Sequence, residues 1–131
     1  MNKLGKRILS LGLVLSIVCG IGSISVFAAP SVSGSINGYT TKGVSSITYS
    51  GGSAYTSYGT NGEVTVTSTY HYINYINLNS GSSTKRKGHS NYAQVNFSAP
   101  SNCRSDYISS SHKVAAFSQT WTGSTSKTYS S

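Results

Sequence analysis

From Val32, small or apolar residues recur at every second position, Val32, Gly34, Ile36 and Gly38, with Ser33, Ser35, Asn37 and Tyr39 between them. A period of two predicts a first strand. A second strand is expected from Val44 to Tyr49, after a Lys42-Gly43 turn, and the flexible run Ser50-Gly51-Gly52-Ser53 ends it. The centre of the pattern is Asn61-Gly62, set between Ala54-Tyr55-Thr56-Ser57-Tyr58 and Glu63-Val64-Thr65-Val66-Thr67. That dipeptide between alternating arms predicts a two-residue hairpin with positive φ at both turn residues. The second arm is long. Val64, Val66, Ser68, Tyr70, Tyr72, Asn74, Ile76 and Leu78 form one face, and Thr65, Thr67, Thr69, His71, Ile73, Tyr75 and Asn77 the other. Such length predicts a bend or bulge near Ile73-Asn74 and a central place in a sheet.

After this arm the composition turns polar. Asn79 to Thr84 reads as a loop, and Lys85-Arg86-Lys87-Gly88-His89 continues it as a basic cluster. Ala93, Val95 and Phe97 alternate with Tyr92, Gln94 and Asn96 as a returning strand, closed at Pro100, which cannot donate to a ladder. Tyr107-Ile108 and Val114 to Trp121 are the last apolar segments, with Phe117 and Trp121 assigned to the core. Gly123 to Ser131 is a polar tail, expected either to add a terminal edge strand or to fray. Six to eight strands at this spacing, with no helical period after residue 30, predict an all-β fold. The expected form is a single-domain antiparallel β-sandwich, Greek-key or jelly-roll-like.

The first thirty residues are of another kind. Lys3, Lys6 and Arg7 precede an apolar run from Ile8 to Val18, too short for a comfortable bilayer span and suited to a signal-peptide core. Cleavage is expected after Ala28, where Val26-Phe27-Ala28 ends the segment and Pro30 lies beyond the bond. Residues 1–28 are therefore expected to be a signal peptide and residues 29–131 a secreted domain. Without Lys3, Lys6 and Arg7, seven basic residues stand against Glu63 and Asp106, a formal charge of +5. Cys103 is then the one remaining cysteine, so no internal disulfide can staple the domain.

Candidate chemistry is sparse. Glu63 and Asp106 are the only carboxylate pair available for glycoside hydrolysis, and no local signature supports them. Cys103 with His112 or His89 is a conceivable thiolate–imidazole pair, again without a family signature. His71, His89 and His112 lack the spacing that places two ligands on one metal, and each is expected as a surface imidazole. No catalytic residue, metal or cofactor is assigned. The most informative feature is the basic cluster Lys85, Arg86, Lys87 and His89, with Tyr75 and Tyr92 at neighbouring strand ends as stacking surfaces. These six residues are the expected binding site. The matching partner is an anionic cell-wall polymer, an envelope precursor or a membrane surface, with nucleic acid ranked below them.

Gly52-Ser53-Ala54-Tyr55-Thr56-Ser57-Tyr58, the Thr/Val strand after it, Asn79-Ser80-Gly81 and Asn91-Tyr92-Ala93-Gln94-Val95 resemble the lactococcin 972 type of bacteriocin. The likeness spans about half of residues 29–131. The family's histidine-bearing stretch after the first tyrosines is absent, and Tyr92 stands where its tryptophan is expected. The resemblance implies a small β-protein exported by a Gram-positive bacterium that interferes with wall synthesis in competitors; no binding residue follows from it. The expected function is thus non-enzymatic binding to an anionic envelope partner, with antimicrobial activity as its specific form. A structural or self-assembling extracellular protein and a small secreted hydrolase are the alternatives.

Overall fold

The computed structural model describes residues 28–130; the expected signal segment lies outside the described residues except for Ala28. Eight strands follow one another: β1 (Ser31–Ile36), β2 (Tyr39–Thr48), β3 (Gly51–Tyr58), β4 (Glu63–Asn74), β5 (Ser80–His89), β6 (Tyr92–Ser98), β7 (Cys103–Ala116) and β8 (Gln119–Thr128). They form two four-stranded antiparallel sheets, ordered β1-β2-β3-β6 and β5-β4-β7-β8, packed face to face. The expected β-sandwich is the observed fold. β1 lies over β8 and β6 over β5. Around the sandwich the order β7-β4-β5-β6 is that of a Greek key, with the β5 to β6 step made across the sandwich edge instead of within a sheet.

The central hairpin is not where the dipeptide pattern placed it. β3 and β4 lie in opposite sheets, and neither Asn61 nor Gly62 has positive φ. Each arm buries an alternating face, Ala54, Thr56 and Tyr58 on β3 and Val64, Val66, Ser68 and Tyr70 on β4. Facing one another across the core covers both stripes, while other strands pair both edges of each arm. Gly62 is needed for another reason: a Cβ there would sit 2.7 Å from the Ala115 carbonyl oxygen and 2.9 Å from Ala116 Cβ.

The two-residue hairpin belongs to the other Asn-Gly pair. Asn37 (φ 52°) and Gly38 (φ 83°) join β1 to β2, with Ile36 opposite Tyr39. Both central residues take the left-handed region that this turn demands. The expected first strand therefore ends at Ile36, and β2 runs unbroken through Lys42-Gly43. A Cβ at Gly38 would meet no atom within 4 Å, so Gly38→Ala tests backbone conformation alone. It is expected to lower stability by about 1 kcal/mol, read as a shift in the urea midpoint with an unchanged slope.

A second left-handed two-residue turn hides in the last apolar segment. Phe117 (φ 50°) and Ser118 (φ 59°) connect β7 to β8, so Val114 to Trp121 is a hairpin and not one strand. Phe117 is 55% exposed and stacks on Tyr39, ring centroids 6.5 Å apart, instead of entering the core. Trp121 does pack against the core, over Gly34, whose missing Cβ would come 2.4 Å from the indole nitrogen. The polar tail forms most of β8, an edge strand.

β4 ends at Asn74, and its irregularity falls between His71 and Tyr72, where Asp106 on β7 is the residue without a register partner. The insertion reverses which side chains of β7 face inward, so Ser105 and Ile108 are both buried. The core gathers Tyr70 stacked on Phe97 at 5.3 Å, with Val64, Val66, Val95, Ile108 and Val114 around them. Beyond Asn74, Tyr75, Ile76 and Leu78 project from a turn.

Candidate functional site

Lys85, Arg86, Lys87 and His89 lie on β5, an edge strand, and not on a loop. The Ser/Gly/Lys composition of 80–89 misleads because β5 buries almost nothing; its backbone pairs with β4 from Ser80↔Ile73 to His89↔Val64, and that ladder requires no apolar side chain. Register assigns the faces. Lys85 lies opposite Ser68, Lys87 opposite Val66 and His89 opposite Val64, all inward positions of β4, whereas Arg86 lies opposite outward Thr67. Lysines on the inner side of an edge strand discourage pairing with another chain.

Lys85 also ties the two sheets together. Its Nζ donates to the Asn96 carbonyl oxygen of β6 at 2.5 Å and lies 5.1 Å from the centroid of Phe97. Between these sheet edges runs an open groove of about 370 Å³ lined by Lys85, Arg86, Lys87, Gln94, Val95 and Asn96. Its β6 side carries a side-chain ladder: Tyr92 Oη donates to Gln94 Oε1 at 2.6 Å, and Gln94 Nε2 donates to Asn96 Oδ1 at 3.0 Å. Tyr92 stacks on Tyr55 with centroids 5.2 Å apart. His89 is exposed at the end of β5 nearest Tyr92. Tyr75 belongs elsewhere. It sits beyond the far end of β5, and the five-residue step from Ser80 to Lys85 alone spans about 17 Å.

A second polar cluster lies buried between the sheets. His112 is 1% exposed between the sheets, not a surface imidazole. Its Nδ1 lies 2.7 Å from Thr56 Oγ1 and its Nε2 2.7 Å from Thr125 Oγ1. From Thr125 the contacts continue to Ser45 (2.6 Å), Ser110 (2.8 Å) and Ser68 (2.8 Å). Thr56 donates its one hydroxyl hydrogen to the Thr65 carbonyl oxygen at 3.0 Å, so it must accept from Nδ1–H. Nε2 of the neutral ring then accepts from Thr125, and counting hydrogens orients the rest: Ser45 donates to Thr125, Ser110 to Ser45, and Ser68 to Ser110. Burial without an opposing charge pushes the imidazole pKa down to about 4. A hydroxyl against an imidazole is also the pairing of nucleophilic catalysis, but here both sheets cover it, and its geometry is that of a structural network. Its sequence signal is the inward spacing Ile108, Ser110, His112, Val114, which the serines around it obscure.

The remaining candidates are not brought together. Glu63 lies opposite Ala115 at one end of β7 and Asp106 lies near the other, a separation of about 30 Å along the strand, far beyond any carboxylate dyad. Cys103 pairs with Asn74 at that same far end, equally remote from His112 on β7. Among the described residues, no group of three His, Cys, Asp or Glu side chains is arranged to hold a metal ion. Comparison of the chain with models of protein families, with curated proteins and with solved structures finds no match.

Proposed function

We propose that this is a secreted, non-enzymatic protein that binds an anionic polymer of a cell envelope along the β5–β6 edge. The observation that carries this reading is the run Lys85-Arg86-Lys87 on an exposed edge strand, beside a groove whose other wall presents the Gln94 and Asn96 amides. Consecutive strand residues project to both faces, so positive charge surrounds the edge and suits a flexible polyanion more than a flat or deep ligand. Tyr92 and His89 extend this strip; Tyr75 is left out of it. Antimicrobial activity, the specific form of the proposal, rests on the resemblance to the lactococcin 972 type.

The test separates charge from stability. Lys85 contacts Asn96 and Phe97, so Arg86→Ser with Lys87→Ser is the cleaner variant. It is expected to bind isolated Gram-positive walls about tenfold more weakly, as two exposed charge contacts imply, with an unchanged urea midpoint. Wild-type binding is expected to fall as salt is raised. Equal binding by both proteins, or binding indifferent to salt, overturns the reading; growth inhibition of related bacteria then tests the antimicrobial form.

A further inference from the structure

The end of the sandwich away from the basic strip carries an apolar projection with no role in the fold. Between β4 and β5, Tyr75 is 51%, Ile76 69% and Leu78 75% exposed. Isolated exposed apolar residues are ordinary, but three within four positions at the tip of a turn are a patch. Leu78 also stands at φ 64°, a left-handed conformation in which Gly or Asn is favoured and a leucine is strained. It therefore occupies a position where its side chain neither packs nor suits the backbone.

The backbone beneath these side chains is closed on itself. Tyr75 N donates to the Asn102 carbonyl oxygen at 3.0 Å. Ile76 N and Asn77 N donate to Asn74 Oδ1 at 2.8 and 3.2 Å. Leu78 N donates to the Asn74 carbonyl oxygen at 2.8 Å, and Asn79 N to Asn77 Oδ1 at 2.9 Å. All five consecutive N–H groups from Tyr75 to Asn79 are thus satisfied within the protein. An apolar medium penalises unpaired donors by several kcal/mol each, so a turn that enters one must bring its donors already bonded. This turn does.

We propose that the Tyr75–Leu78 turn is a membrane-inserting tip, which places Ile76 and Leu78 among the acyl chains of a bilayer surface. Three observations favour lipid over a protein partner. The patch sits at the tip of a turn between β4 and β5, with each apolar side chain at least half exposed. Its backbone N–H groups need nothing from a partner. Behind it on the same end, Tyr49 and Tyr129 pack edge to face at 5.8 Å, and the register sets Tyr129 three residues back from Cys103, the partner of Asn74. Three residues are about 10 Å, so these rings stand behind the tip, on the side where interfacial tyrosines meet the headgroups. With Lys85, Arg86 and Lys87 set aside, residues 29–131 still carry four basic side chains against two acidic ones, which directs the choice to anionic lipid. The proposal uses residues separate from the β5–β6 strip and stands or falls apart from it.

The experiment is flotation of the purified protein, as its host processes it, with vesicles of phosphatidylcholine and phosphatidylglycerol in a 3:1 ratio. Wild type is compared with Ile76→Ser/Leu78→Asn and with Arg86→Ser/Lys87→Ser. Asn suits the left-handed position, so the tip variant is expected to fold with unchanged or higher thermal stability. Its partition onto vesicles is expected to fall at least tenfold, in line with losing two apolar anchors, while the strip variant keeps floating at 0.5 M salt. Three outcomes overturn the proposal: no flotation of wild type, equal flotation of wild type and the tip variant, or a wild-type dimer by sedimentation that the tip variant lacks, which would make the tip a contact between copies.

Discussion

Lowering the pH from 7 to 4 is expected to remove about 3 kcal/mol of stability through His112 alone, read as a falling urea midpoint across pH 8, 7, 6, 5 and 4. The folded-state imidazole titrates at about 4 against an ordinary value of 6.5, because burial penalises its charged form. Between those values the unfolded chain holds the proton and the native protein does not. Stability is therefore complete above about 6.5, declines as the pH falls through this window, and levels off below about 4. A shift of that size corresponds to about 3 kcal/mol, a large part of the 5–15 kcal/mol typical of a domain.

The hydroxyl chain sets how protonation is borne. An imidazolium must donate from both nitrogens, so Thr125 turns to Ser45, Ser45 to Ser110, Ser110 to Ser68, and Ser68 to the Ser109 carbonyl oxygen at 3.3 Å. Every hydrogen bond survives in reverse, and what remains unfavourable is the buried charge. His112→Gln is expected to fold less stably and to show a flat midpoint over pH 4–7. A pH slope that persists in the variant would place the acid sensitivity elsewhere.

Replacing Gly43 by Ala is expected to destabilise the protein by about 3–5 kcal/mol. Gly43 lies on β2, directly under the imidazole, and an added Cβ would stand 2.4 Å from His112 Cγ, 2.5 Å from Cδ2 and 2.7 Å from Nδ1. Such distances require movement. The ring cannot move without breaking one of its two 2.7 Å hydrogen bonds and leaving a buried hydroxyl or nitrogen unpaired. The β2 backbone is held on both sides, by β1 and by β3. The discriminating measurement is a double-mutant cycle with His112→Ala. If the clash is the cause, the double variant is less destabilised than the two single effects summed, since the smaller side chain vacates the space that the new methyl needs. Additive losses would show that Gly43 matters through its backbone.

Several parts of this arrangement are legible in the sequence. The period-two alternation in Val64, Val66, Ser68 and Tyr70, and in Ala93, Val95 and Phe97, marks the inward faces correctly, because a half-buried strand must alternate. The unusual length of the β4 arm announced an irregularity, found two residues before the expected place. β5 is not legible: an edge strand held by backbone hydrogen bonds leaves no hydrophobic period to read, and its polar, basic composition is that of a loop. Phe117 reads as a core residue because its turn contains no glycine, and Tyr75 reads as a neighbour of Tyr92 although the two lie at opposite ends of the sandwich, because strand direction is not visible in the local pattern.

Local sequence thus determined that the chain is all-β, which strand faces turn inward, and that its positive charge concentrates at Lys85-Arg86-Lys87. Only the tertiary structure decided which of the two Asn-Gly pairs makes a hairpin, for turn chemistry permits one at either, while at Asn61-Gly62 both edges of β3 pair with β2 and β6 and both edges of β4 with β5 and β7. The hydroxyl network around His112 came from there as well. Thr56, Ser45, Ser68 and Thr125 lie on four other strands, and a hydroxyl far away in sequence becomes a hydrogen-bond partner only when two sheets close over it and exclude the water that would otherwise serve.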